Sequence, residues 1–216
     1  MDSITLYFDF LSPYSYFAWK NLKRKNSFRE KYQFEFRPVL MGKLFSTHEI
    51  KGPGEIPAKR YLMLKSCFRY ASRESIPFVP PKAHPFNPLY VLRLATQSCS
   101  GKHQEEVIDA LWEYVWAKGL PADDPDQLKS FLNSKGLPGE ELMEKSFLRE
   151  AKLELKTNTK EAISKNIFGV PTFNSKGENF WGNDSLIDLE RFLNGEESYD
   201  EQLFKNRTED IDLNLN

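Results

Sequence analysis

The patterning of this chain forces its two ends together. Strand-like residues occur only near the start and near the end, and helical periodicity fills the space between, so any sheet must be assembled across a long helical interruption. At the start, Ile4-Thr5-Leu6-Tyr7-Phe8-Asp9-Phe10 is a β-branched and aromatic run that predicts a buried strand over 4–10. Ser12 then offers an N-cap with Pro13 at the first helical position, and a helix over 14–25 follows, basic at its far end through Lys20, Lys23, Arg24 and Lys25. Residues 33–40, with Phe34 and Phe36 alternating, give a second strand. Near the other end, Phe168-Gly169-Val170-Pro171-Thr172-Phe173, a Ser175-Lys176-Gly177 turn and Asn179-Phe180-Trp181 predict a hairpin. A last helix is expected over 185–194, capped by Asp184 and stopped by Gly195.

Between these ends, the Gly/Pro-rich segment Lys51-Gly52-Pro53-Gly54-Glu55-Ile56-Pro57 reads as a loop, and helices are predicted over 58–73, 88–98, 104–117, 125–133 and 139–157. Val107, Leu111 and Val115 illustrate the spacing that carries these assignments. Pro77, Pro80, Pro81 and Pro85 interrupt the first two, which makes an ordered loop the expectation there, placed to cover a cleft. The chain therefore divides into a β-containing part of residues 1–41 and 158–200, a helical insertion of residues 42–157 and a loosely held polar tail of residues 201–216.

Composition narrows the function. A formal net charge of -1 predicts no nucleic-acid partner. No run of about 18 apolar residues exists to span a bilayer, and Met1-Asp2-Ser3 leads straight into the first strand without the regions of a signal peptide, so a cytoplasmic location without membrane association is the expectation. Cys67 and Cys99 lie outside any Cys-x-x-Cys or zinc-type spacing and read as small apolar core residues. His48, His84 and His103 are too separated to suggest a metal triad, and no metal is expected.

The strand-to-helix corner is the place where chemistry can be read. A helix N-terminus offers unpaired N–H groups and the positive end of the helix dipole, so an anion is favoured beside Ser12. A serine before a proline at a helix start ordinarily does no more than cap it.

A β-α-β start, a helical middle and a β-β-α finish compose an α/β thioredoxin fold with an all-helical insertion. Four strings in register then make the comparison specific: Phe8-Asp9-Phe10-Leu11-Ser12-Pro13-Tyr14-Ser15-Tyr16, His84-Pro85-Phe86-Asn87-Pro88-Leu89, Phe168-Gly169-Val170-Pro171-Thr172 and Trp181-Gly182-Asn183-Asp184. On these residues the chain resembles the 2-hydroxychromene-2-carboxylate isomerases and kappa-class glutathione transferases, a branch of the DsbA-like thioredoxin superfamily, over nearly its whole length.

The resemblance implies a set of roles. Redox members of the superfamily hold a cysteine thiolate at the helix start, whereas serine occupies both position 12 and position 15 here, so the sulfur must arrive on a bound molecule. Glutathione is the implied cofactor, with Ser12 as the catalytic residue whose hydroxyl hydrogen-bonds its thiolate. Val170-Pro171 resembles the superfamily's cis-proline, which turns the backbone outward to pair with an extended peptide. Asn183 and Asp184 match the pair that holds the γ-glutamyl end, and Lys59 matches a lysine that pairs with a glutathione carboxylate. His84 and Asn87 are placed on the acceptor side, and Tyr14 flanks an aromatic substrate. The implied reaction on a small aromatic or enone acid is isomerisation by reversible thiolate addition, and relatives of this kind are homodimers.

Three departures stand against this. The family's asparagine ahead of Pro-x-Lys falls near Ile50 or Lys51, its aspartate on the first inserted helix falls at Ser66, and the basic residue after Asn-Asp is Ser185. Kappa-class conjugation, or a DsbA-like oxidoreductase lineage without its Cys-x-x-Cys, remain as alternatives.

Overall fold

The computed structural model describes residues 3–196 and 200–209. β1 (Ser3–Phe8) is buried at every position after Ser3, because both faces of the sheet are covered. Ile4, Leu6 and Phe8 enter a large aromatic core, while Tyr7 joins a smaller cluster with Val39, Leu44, Ala162, Ile167 and Val170. The strand stops at Phe8, short of the expected residue 10. The Asp9 carboxylate takes the Leu11 N–H at 2.9 Å and the Asp9 carbonyl takes the Ser12 N–H at 3.0 Å, which folds residues 9–12 into a tight turn.

α1 (Pro13–Lys23) opens on Ser12, whose side chain accepts the Ser15 N–H, and ends in Lys20 and Lys23. A short α2 (Asn26–Lys31), unforeseen in the sequence, leads to β2 (Gln33–Pro38), which pairs parallel with β1 from Ser3 opposite Gln33 to Phe8 opposite Pro38. α3 (Met41–Thr47) had no assignment in the sequence; it buries only Leu44, too little to show a period.

α4 (Pro57–Arg73) and α8 (Pro125–Ser134) lie where the spacing placed them. The expected helix over 88–98 is two, α5 (Leu89–Leu94) and α6 (Gln97–Ser100), because the Glu154 carboxylate caps the Gln97 and Ser98 N–H groups at 2.8 and 2.7 Å. α7 (Gln104–Trp112) runs on through a π-helical turn over Glu113–Ala117. The expected helix over 139–157 is also two, α9 (Gly139–Phe147) and α10 (Arg149–Ser164), separated at Leu148 in extended conformation.

β3 (Thr172–Ser175) and β4 (Glu178–Trp181) form the hairpin, with Lys176 and Gly177 both at positive φ as a two-residue primed turn requires. β3 pairs antiparallel with β1, so the sheet order is β2-β1-β3-β4 and the chain's two ends share one sheet. α11 (Leu186–Asn194) stops at Gly195 with φ +70°. Its cap differs from expectation: Ser185 occupies that position, its Oγ donates to the Gly182 carbonyl, and Asp184 takes no part in capping. Within the tail, residues 201–208 form an exposed α12 (Glu201–Thr208), started by Asp200 accepting the Leu203 N–H and braced by a Glu201–Lys205 pair; residues 210–216 lie outside the described residues. Among the described residues no helix is long and apolar enough to cross a membrane.

Candidate active site

The turn between β1 and α1 is held by side chains from distant parts of the chain. Asp9 is fully buried and divides its carboxylate between Leu11 N–H and Met41 N–H, each at 2.9 Å. Burial pushes its carboxyl up to about 7, against those two hydrogen bonds. The Trp116 indole donates to the Phe10 carbonyl at 2.8 Å, and His84 Nε2 lies 2.9 Å from the Leu11 carbonyl. The carbonyl can only accept, so Nε2 carries the proton. Burial first, and then the charge of Arg60, hold the His84 imidazole below its ordinary value, although the Leu11 carbonyl pulls the other way.

Ser12 follows this turn and is 4% exposed. Its Oγ donates to the Val170 carbonyl at 3.2 Å and accepts the Ser15 N–H at 3.2 Å. The Val170–Pro171 bond is cis, as the resemblance implied, and His84–Pro85 is a second cis bond that the sequence did not announce. The Gly182 N–H ties the Pro171 carbonyl to the loop before α11 at 2.9 Å, so the proline corner and the Asn183-Asp184 segment are anchored together.

The remaining predicted residues fall around this pair. Tyr14 is half-buried; its phenol is raised by burial first, then by Cys67 at hydrogen-bonding range and by the Asp184 charge. Asp184 is exposed, and Asn183 offers its carbonyl to Asn21, which also reaches the Tyr70 hydroxyl at 2.6 Å, joining α1, α4 and this loop. Lys59 is exposed on the first turn of α4 and makes no ion pair among the described residues; its neighbour Arg60 donates to the His84 carbonyl at 3.0 Å. Asn87 is not brought to Ser12 by any contact among the described residues, and its side-chain oxygen accepts the Leu89 N–H at the start of α5. Of the three departures, Ile50 and Ser66 are exposed, whereas Ser185 is buried with its hydroxyl committed to Gly182.

Two groups escaped sequence reading. Asp9 carried a signal, a lone carboxylate in an apolar run; Trp116 carried none beyond its place on the apolar side of α7. Cys67 and Cys99 are buried, and burial pushes both thiols up to about 12. A cavity of about 670 Å³ lies elsewhere, beside Lys23, Glu105 and Asp109, and touches none of the predicted site residues.

Comparison with known proteins agrees with this fold. The model of the DSBA-like thioredoxin domain matches residues 3–194. A 2-hydroxychromene-2-carboxylate isomerase of Sphingobium xenophagum is 27% identical over 196 residues, covering 88% of this chain and 97% of its own. A glutathione S-transferase kappa 2 of Caenorhabditis elegans is 29% identical over 177 residues, covering 78% of each. Among solved structures, a 2-hydroxychromene-2-carboxylate isomerase superposes with a TM-score of 0.79 at 21% identity, over 96% of this chain and 98% of that one, a likeness of fold. With the sheet, the cis-proline corner and the family match in agreement, the chain belongs to the DSBA-like thioredoxin domain family.

Proposed function

We propose that this protein is a glutathione-dependent isomerase of small aromatic or enone acids, with Ser12 as the residue that touches the thiol. The observation that carries the reading is the Ser12 hydroxyl at the start of α1, set against the Val170 backbone ahead of Pro171. The names of the relatives supply the reaction class.

The groups present fit glutathione. Among the described residues Lys59 makes no ion pair and Asp184 caps no helix, so a cation and a carboxylate stand available for a ligand carrying both charges. Glutathione would supply the thiolate that adds to a conjugated carbon and is expelled after bond rotation. Ser12 has one hydroxyl proton, now given to Val170, and must redirect it to stabilise a thiolate. The Ser15 N–H continues to donate to Ser12 Oγ, which polarises the hydroxyl toward donation. Pro13 has no N–H and that of Ser15 is used, so Tyr14 N–H is the first-turn donor left without a backbone acceptor. The Val170 carbonyl, once released, can pair with a peptide backbone. Lys59 would hold a carboxylate, and Asn183 with Asp184 the amino-acid end.

On the acceptor side, His84 Nε2 and the Asn87 side-chain oxygen are engaged by backbone groups, and half-buried Tyr14 is the third predicted substrate contact. Losing polar partners at Ile50, Ser66 and Ser185 costs roughly 1–3 kcal/mol each where a charged hydrogen bond is missing, so weak thiol affinity is expected. Kappa-class conjugation would use the same residues and omit the elimination. Disulfide exchange has little support, because both thiols are buried and raised to about 12.

The test is titration of thiolate ultraviolet absorbance in the glutathione complex, beside turnover of a 2-hydroxychromene-2-carboxylate. In Ser12→Ala the bound thiol should rise by about one pH unit, equivalent to 1.36 kcal/mol, and the rate should fall at least about tenfold. An unchanged titration with an unchanged rate would reduce Ser12 to a helix cap, and failure of the wild type to bind glutathione would remove the cofactor.

A further inference from the structure

Two successive peptide planes ahead of Ser12 are each held at both ends. In the Phe10–Leu11 plane, the carbonyl receives the Trp116 indole and the N–H goes to the Asp9 carboxylate. In the Leu11–Ser12 plane, the carbonyl receives His84 Nε2 and the N–H goes to the Asp9 carbonyl. A peptide unit is rigid, so fixing both ends fixes its tilt, and with Ser12 at φ -92° that tilt sets the direction in which its side chain leaves the backbone. His84 is the partner in that plane that belongs to a side chain.

His84 is itself held firmly. Its carbonyl accepts from Arg60 at 3.0 Å, and its ring meets Trp116 and Phe86 edge-on at centroid distances of 5.5 and 6.2 Å. Its second ring nitrogen, Nδ1, is buried without a hydrogen-bond partner among the described residues and lies toward Gly54, where an added Cβ would stand 3.4 Å from the ring. A proton on Nδ1 would place a cation in that closed space near Arg60, so the ring stays neutral with Nε2 as donor.

Resting on the thiol reading above, we propose that His84 is a positioning residue which, through the Leu11 carbonyl, aims the Ser12 hydroxyl at the bound sulfur and does not itself meet the substrate. Two variants separate its functions. His84→Phe keeps the edge-on ring contacts and loses the donor; His84→Gln loses the ring and offers an amide N–H at about the reach of Nε2. Three readouts are taken: the thiol titration of the glutathione complex, kcat and KM, and the amide shifts of Leu11 and Ser12 in the free protein.

His84→Phe should raise the bound thiol's pKa and lower kcat about tenfold, less than the ~100-fold that a 1 Å misplacement can cost, with KM changed far less. The Leu11 and Ser12 amide shifts should move in His84→Phe, and His84→Gln should restore most of all three. In the wild type the ring nitrogen shifts should show Nε2 protonated and Nδ1 bare at neutral pH. A His84→Phe protein with wild-type titration, kcat and amide shifts would overturn the proposal, as would equal losses in both variants. If the wild type binds no thiol, the isomerase reading fails by itself, and the amide shifts still decide whether His84 holds the turn.

Discussion

Tyr7 and Asp9 flank Phe8 at the end of β1 and are both fully buried, yet their polar atoms are satisfied in opposite ways. Tyr7 points to the smaller core, where its hydroxyl donates to Glu161 at 2.8 Å and accepts from Lys165 at 3.2 Å. Glu161 also pairs with Arg37, Lys165 bonds Glu161 at 3.0 Å, and Arg37 bonds Glu35 at 2.7 Å. Burial opposes the charge on Glu161, but hydrogen bonds from Lys165 and Tyr7 and the charge of Arg37 hold it below the usual carboxylate range. Each member has more than one partner and the charges reach solvent, so the loss of one leaves the others paired. Around Asp9 the Leu11 and Met41 N–H groups share one buried carboxylate, the Phe10 and Leu11 carbonyls each take one ring N–H, the Ser12 N–H goes to the Asp9 carbonyl, and among the described residues no cation pairs with the carboxylate. Redundancy in the Tyr7 network and single contacts in the turn at Asp9 explain why the turn can hold a hydroxyl in one direction.

The largest expected effect that tests this contrast is at Asp9. Its folded-state pKa of about 7 lies above the ordinary 3.8, so the native state binds the proton more tightly than the unfolded chain. The stability this contributes is fully present below about 4 and falls by about 1.4 kcal/mol per pH unit until the pH passes about 7. Asp9→Asn cannot ionise and should lose this slope. Urea midpoints of both proteins between pH 4 and 8 check it, since contributions of other groups cancel in the difference. A difference that stays constant with pH would mean that the Asp9 carboxylate is solvated or paired in solution, and the contrast with Tyr7 would collapse.

A smaller effect is expected in the Tyr7 network. Tyr7→Phe removes one hydroxyl from a network whose remaining members keep their partners, so the cost should be about 1 kcal/mol, a typical net hydrogen bond, with no change in denaturant slope. A loss of several kcal/mol would show that the Glu161 network is as brittle as the turn.

How far the sequence could be read follows from the same distinction. β1, the hairpin and the proline corner were visible because alternation and turn chemistry are local, and Ser175-Lys176-Gly177 named its own turn. Ser12 and Val170, though 158 positions apart, were joined through family motifs. Asp9 was absorbed into the strand because alternation alone cannot show that its carboxylate ends the strand by taking the Leu11 N–H. Nothing local ties Trp116 to Phe10 or His84 to Leu11, since those contacts exist only once the insertion has folded back over the corner. The substrate-side place of His84 rests on its family motif alone. The helix break at Leu148 was hidden because Phe147 and Leu148 continue the apolar count, although both are exposed.

The smallest effect is predicted at Ser15, the position where redox relatives would carry their second cysteine. Its hydroxyl is buried, at 1% exposure, and has no partner among the described residues, so in the folded state it forfeits the hydrogen bonds it makes in water. Its backbone N–H is what Ser12 uses, and Ser15→Ala leaves that group untouched. Alanine also has the higher helix propensity within the first turn of α1. Ser15→Ala should therefore be neutral or stabilising by up to about 0.5 kcal/mol, where Ser12→Ala, which removes the cap, should cost about 1 kcal/mol. Melting curves of the two variants side by side provide the check, with turnover of Ser15→Ala expected within twofold of wild type. If Ser15→Ala lost more stability than Ser12→Ala, its hydroxyl would have to be satisfied in solution, and the uniqueness of the Ser12 contacts would no longer distinguish this corner from the rest of α1.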